Sequence, residues 1–206
     1  MRLLVSPLVR ALLQTFADNQ FVRFLADFRY PLSGEFSLTR NLARMNRIPS
    51  DWGLEVGTLA EVFRNTSHKR VCQTDLCRLY EHKHQALTLE DKNAGLIKMA
   101  IDILTTIYRT LASQGVVLGR STFITLRSSY LRIAQDSIRQ YAADAIVNDL
   151  HYDRHSEEAA IEAFAECVTT AGDEYRSDPN GAQAIPNWNR VRAALPDFAE
   201  RLRDTV

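Results

Sequence analysis

Beyond Thr88 the chain carries apolar residues in a helical rhythm too long for any other element to satisfy. Leu96, Met99, Ala100, Ile103, Leu104, Ile107 and Leu111 recur at spacings of three and four, the period that lines one face of an α-helix. Thr88-Leu89-Glu90-Asp91 has the form of a capping box with Asp in the Glu place, so a helix is expected from there to about Ser113, with Gly115 as its stop. A second helix is expected over about 122–148, buried through Phe123, Leu126, Tyr130, Ile133, Ile138, Tyr141, Ala145 and Ile146. A third starts after Ser156, where Glu157 and Glu158 suit the positive helix end, and runs to about Ala171. Pro186-Asn187-Trp188 leads into a short helix, and Pro196 opens a terminal one. The chain is therefore expected to be predominantly helical.

The first 87 residues have a different grain. Leu8, Val9, Leu12, Leu13 and Phe16 predict a helix to about Thr15, with Ser6 as its cap and Pro7 at its first position. That reading suits the N-terminus better than a signal peptide, because Ser6-Pro7 and Arg10 break the apolar run. In the second half of Phe21 to Tyr30, Phe24, Ala26 and Phe28 alternate with Arg23, Asp27 and Arg29, which predicts a strand stopped by Pro31. Gly34 allows a tight turn before a short helix over about Ser37 to Met45, and Asp51 is a plausible cap for a helix over about Leu54 to Arg64. His68 to Leu76 reads as a second strand, followed by a loop over Tyr80 to Leu87. Two strands among short helices suggest part of an α/β domain over residues 1–87, followed by a helical extension over 88–206.

Charge and cysteines narrow the function. Lys+Arg and Asp+Glu each number 25, and this balance argues against a nucleic-acid partner, which calls for a basic excess. Cys72, Cys77 and Cys167 form no C-x-x-C pair, which favours a reduced, cytoplasmic setting. No apolar run approaches the roughly 18 residues of a membrane span, so no membrane partner is expected.

Three polar segments stand out as a candidate site: Pro31-Leu32-Ser33-Gly34-Glu35-Phe36, Asp51-Trp52-Gly53-Leu54-Glu55-Val56-Gly57 and Tyr80-Glu81-His82-Lys83-His84. Glu55 either stabilises a helix start or accepts a hydrogen bond from a sugar hydroxyl while Trp52 packs on the sugar face. Glu35 has the same ambiguity, since turn carboxylates commonly cap nearby amides. His82, beside Glu81, is either a solvated loop histidine or a ligand for a divalent metal, and Lys83 with His84 could instead meet a phosphate. His151 and His155 sit at a helix junction, where capping and ion pairing explain them better than a metal does.

In this order the three segments resemble the C-terminal half of glucosyl-3-phosphoglycerate synthases, retaining glycosyltransferases of the GT-A type related to mannosylglycerate synthases. Tyr130-Leu131-Arg132-Ile133-Ala134, Tyr152-Asp153-Arg154-His155-Ser156-Glu157-Glu158 and Ile185-Pro186-Asn187-Trp188-Asn189-Arg190 extend the resemblance through the helical part. It implies an α/β fold, the C-terminal part of a Rossmann-like GT-A domain, followed by a mainly helical extension. It also implies transfer of glucose from a nucleoside-diphosphate glucose to the 2-hydroxyl of 3-phosphoglycerate, with retention and with Mg2+ or Mn2+ as a Lewis acid. By position His82 matches the metal histidine and His84 the acceptor-binding place. Leu32, Trp52 and Glu55 match residues around the donor sugar, and Glu55 is the catalytic candidate. The sequence contains no Asp-x-Asp motif. The expectation is thus a chain lacking the donor-binding N-terminal half, inactive alone, and homodimeric or joined by a separately encoded half. A mannosyl-transferring relative is one alternative. The other is a non-catalytic helical module for dimerisation or regulation.

Overall fold

Four helices, two of them the first and last of the long ones in sequence, close around one apolar core in the computed structural model, which describes residues 2–74, 95–181 and 184–205. The elements in chain order are α1 (Arg2–Thr15), α2 (Gln20–Ala26), α3 (Arg40–Met45), α4 (Leu54–Asn65), a single 3-10 turn at His68–Arg70, α5 (Gly95–Ser113), α6 (Arg120–Val147), α7 (Arg154–Ser177), α8 (Trp188–Ala194) and α9 (Phe198–Asp204). α7 packs against both α5 and α6, while α1 lies along α6. Leu4, Leu8 and Leu12 of α1 and Leu104, Ile107, Leu111, Leu126 and Ile138 of α5 and α6 are fully enclosed in the shared core. α4 packs on the flank of α5, and α2 on α1 and α4.

The predominantly helical character is as expected, but the α/β expectation is not met among the described residues: neither predicted strand is present. Residues 20–26 form α2 instead, because Asn19 Oδ1 accepts from Val22 N at 3.0 Å and starts a helix, and residues 27–30 after it are irregular. Phe21, Val22, Phe24 and Leu25 are its buried residues. Phe21 and Phe24 meet Phe63 of α4 at ring separations of 5.6 and 5.4 Å, so the aromatics serve a helix–helix contact rather than a sheet face. The second predicted strand opens with the 3-10 turn and continues irregularly to residue 74; its last two residues lie outside the described part. Among the described residues the sole β-type pairing is an antiparallel bridge between Ile48 and Ile185, which ties the C-terminal segment to the loop before α4.

Pro7 also differs from expectation. The first helix begins at Arg2, not at Pro7, so the proline sits inside it. Lacking an N–H, Pro7 leaves the Leu3 carbonyl without its helical partner, and the buried Tyr130 hydroxyl donates to that carbonyl at 2.9 Å. Tyr108 makes a parallel use of its hydroxyl, donating to the Val168 carbonyl at 3.1 Å. Burial pushes the pKa of both phenols well above the ordinary tyrosine value. A raised pKa means that the folded state holds the proton after the unfolded chain has released it. Their contribution is therefore complete below about pH 10 and declines as the pH rises further. An absorbance titration at 295 nm should show Tyr108 and Tyr130 ionising only together with loss of the helical circular dichroism. Ionisation of all tyrosines before any unfolding would contradict it.

The predicted helix over 54–64 is α4, and the long helices appear as α5, α6 and α7, although Ile146, expected among the buried positions of α6, is exposed. Residues 88–94, with the proposed capping box, lie outside the described part. α7 starts three residues earlier than expected because Asp153, not Ser156, caps it, its Oδ1 accepting from Ser156 N at 3.0 Å. Gly115 adopts φ +86°, a left-handed stop after α5. No helix among the described residues is long and apolar enough to cross a membrane.

Candidate functional site

Two glycines position the segment Asp51 to Gly57, each by close approach of backbone to a neighbour. A Cβ on Gly53 would fall 2.0 Å from Thr106 Oγ1 of α5, and one on Gly57 would fall 2.2 Å from Pro49 Cγ. Only glycine lets α4 start against α5 on one side and accept the preceding loop on the other. Gly53 N donates to Asp51 Oδ1 at 2.8 Å, an Asx turn into the helix. Asp51 thus shapes the turn ahead of α4 but does not cap the helix as the sequence suggests: the N-cap position is Gly53, and no side chain bonds to the first turn.

Farther along α4, the buried carboxylate of Glu61 fixes the loop that carries Pro49. It accepts from Arg47 N at 3.2 Å, from the Arg47 guanidinium at 2.9 and 3.2 Å, and from Arg64 at 2.9 Å. Two donors from Arg47 on one oxygen and its backbone N–H on the other leave little freedom to residues 47–49.

On this frame Glu55 lies half-buried in the first turn of α4, and Trp52 stands 45% exposed beside it. α4 has no side-chain cap, so the Glu55 carboxylate is the acidic group at its positive end. Tyr30 lies within electrostatic reach of this segment: though 40% exposed, its phenol has a pKa raised first by burial and then by the negative charges of Glu55 and Glu35. Both carboxylates therefore act on one hydroxyl. Sequence reasoning left Tyr30 as the end of a strand; its nearness to Glu55 comes from the chain folding back, and no local pattern signals it. Glu35 is tied into its own turn, with Ser33 Oγ 3.1 Å from Oε2 and Glu35 N donating to Ser33 Oγ at 3.3 Å.

Leu32 is part of the apolar core and anchors the segment between Tyr30 and Glu35. His82 and His84, the metal and acceptor candidates, lie outside the described residues, as do Glu81, Lys83 and Cys77. Among the described residues no group of three or more His, Cys, Asp or Glu could hold a metal ion. His151 and His155 flank the Asp153 cap, and Arg154 pairs with Glu158 at 2.7 Å, as expected of a helix junction. Cys167 is buried in the core and Cys72 is exposed.

A carboxylate and an exposed indole at one helix start, with a phenol within electrostatic reach of the carboxylate, can receive sugar hydroxyls and cover an apolar sugar face. The chain is 45% identical over 201 residues to a glucosyl-3-phosphoglycerate synthase of Persephonella marina, a match covering 98% of this chain and 50% of that protein. It is likewise 45% identical over 202 residues to a glucosyl-3-phosphoglycerate synthase of Methanococcoides burtonii, covering 98% of this chain and 49% of that protein. The chain spans about half the length of the curated relatives it matches. No family model and no solved structure matches it.

Proposed function

From its correspondence to the C-terminal half of glucosyl-3-phosphoglycerate synthases, we propose that this chain is the acceptor-side half of such a glucosyltransferase. The reaction moves glucose from a nucleoside-diphosphate glucose to the 2-hydroxyl of 3-phosphoglycerate with retention. The observation that supports this reading is the exposed Trp52 beside the Glu55 carboxylate at the start of α4, with the Tyr30 phenol within electrostatic reach of that carboxylate. The Glu55 carboxylate accepts hydrogen bonds from glucose hydroxyls and stabilises positive charge at the sugar carbon in the transition state. Trp52 covers the sugar face, and Leu32 keeps its segment seated beneath.

Residues 1–87 supply this catalytic portion, and residues 88–206 the helical extension that carries it. His84 meets the acceptor. Charge building on a departing diphosphate is the reason a divalent cation, Mg2+ or Mn2+, belongs in the proposal. Its ligands would be His82 and carboxylates of a donor-binding half, corresponding to the part of the relatives that this chain does not match. Activity then needs both halves, in one polypeptide or as separate partners. The cytoplasm is the setting, since both substrates are phosphorylated and do not cross membranes unaided.

Ile146, Val147 and Leu150, all largely exposed at the end of α6, favour homodimerisation, and they are what supports the second reading, a non-catalytic dimerisation or regulatory module. The test follows nucleotide release from nucleoside-diphosphate glucose with 3-phosphoglycerate and magnesium. It compares this chain alone with this chain joined to a segment corresponding to the relatives' other half, and light scattering gives the mass of each. Release by the joined protein only, lost on His82→Ala, is the expected result. No release from either would sink the glucosyltransferase reading and leave the helical module, whereas faster turnover of the mannose donor would assign a mannosyl-transferring relative.

A further inference from the structure

Asp102 is the one acidic residue among the buried positions of α5, 6% exposed in a helix otherwise enclosed through Ile97, Ala100, Ile101, Ile103 and Leu104. Burying a carboxylate is costly unless it is paired, and even paired it seldom adds net stability over an apolar side chain. Its partners point to another use. Oδ1 receives the Lys98 ammonium from one turn earlier, and Oδ2 accepts from Trp52 N at 3.4 Å. One turn later on α5, Thr106 is the residue against which Gly53 is seated. Lys98, Asp102 and Thr106 are spaced by four, so they form one stripe along the helix. That stripe holds the backbone of Trp52 and Gly53, two residues ahead of Glu55.

We propose that Asp102 is a positioning residue for glucosyl transfer, holding the Trp52 backbone so that the indole and the Glu55 carboxylate meet the donor sugar in register. This rests on the proposed function. It also gives the helical extension a part in the chemistry, since α5 fixes where the sugar-binding turn sits. The contact is to a backbone N–H, so it specifies the position of residue 52 whatever side chain stands there. Lys98 compensates the charge, and its side chain is 37% exposed, so its ammonium can return to water when Asp102 is removed.

The experiment uses Asp102→Leu and Asp102→Asn. In this chain carrying Trp188→Phe, Trp52 is the one remaining indole of the two in the sequence. Asp102→Leu is expected to increase acrylamide quenching of Trp52 and shift its emission to the red, while the melting temperature holds or rises, as replacement of a buried ion pair by an apolar side chain allows. In the joined, active protein it is expected to lower kcat/KM for the nucleotide sugar by about 10²-fold, the size of effect that a 1 Å misplacement produces. KM for 3-phosphoglycerate should stay unchanged. Asp102→Asn, whose amide oxygen still accepts from Trp52 N, should retain most of both properties.

Unchanged quenching would overturn the proposal, as would Leu and Asn variants that behave alike, or a melting temperature that falls in step with activity. The fluorescence arm needs no turnover. If the joined protein without substitution transfers no glucose, the glucosyltransferase reading fails, while the quenching result still decides whether Asp102 holds Trp52.

Discussion

A valine at position 172 is expected to destabilise the protein by about 3 kcal/mol, the upper range for overpacking a filled core. For a chain of this size that corresponds to a fall in melting temperature of roughly 6–12 °C. Gly172 lies buried in α7 with the ring of Phe123 directly against it: an added Cβ would fall 2.5 Å from Cγ and 2.6 Å from Cδ2. The ring has nowhere to retreat. Tyr108 meets it at 4.8 Å with the rings tilted by 47° and Tyr175 edge-on at 6.3 Å, and the Tyr108 hydroxyl is committed to the Val168 carbonyl.

Alanine at 172 separates two opposing effects. It gains about 1 kcal/mol of helix propensity over glycine, yet the ring contact must still be relieved, so a small net loss is expected. Thermal melts of Gly172→Val, Gly172→Ala and Phe123→Leu, alone and combined, would resolve the coupling as a double-mutant cycle. A Gly172→Val protein that melts with or above the parent would show that α6 and α7 have slack at this crossing.

The same crossing shows what local pattern can and cannot reveal. α5 and α6 are legible because each carries an apolar stripe that recurs at helical spacing over many turns. Alternation among Phe24, Ala26 and Phe28 points to a strand where the structure has the end of α2. The informative spacing was Phe21, Phe24 and Phe28, three and four apart, behind the Asn19 cap. Short apolar runs fit both periods, and the partner, here Phe63 of α4, decides between them.

Ser6-Pro7 has the form of a cap and first helical position, but in the structure the helix runs through Pro7. The group that meets the orphaned carbonyl, the Tyr130 hydroxyl, is 127 residues away from Leu3 in sequence. The candidate site divides in the same way. Trp52, Gly53, Glu55 and Gly57 fall within one short segment and could be singled out by residue type and spacing. Tyr30 and Asp102 act on that segment from other elements, Asp102 across 50 residues, so nothing in the local sequence announces them.

Glu55→Gln should produce the largest functional loss of any single change in the described site: a fall in kcat of about 10²–10³-fold in the joined protein, the usual cost of removing one group aimed at transition-state charge. The structural role of the same carboxylate is small. An acidic group in a first helical turn contributes about 0.3–1 kcal/mol through the helix dipole, and Gln keeps the shape and most of the packing. A melting temperature within a few degrees of the parent, alongside the rate loss, would therefore separate chemistry from support.

A spectroscopic consequence accompanies the rate loss. The Glu55 charge is one of the influences that raise the Tyr30 pKa, second to burial and ahead of Glu35. Neutralising it removes a repulsion against the phenolate, so Tyr30 should ionise at lower pH in Glu55→Gln than in the parent. Difference absorbance at 295 nm, with Tyr30→Phe as the control that identifies the signal, measures that shift without any substrate. If the rate falls and the Tyr30 titration does not move, Glu55 acts on the reaction from a place apart from Tyr30, and the grouping that carries the sugar-binding reading dissolves. If the titration moves and the rate does not fall, the three side chains are neighbours, but the sugar is held elsewhere.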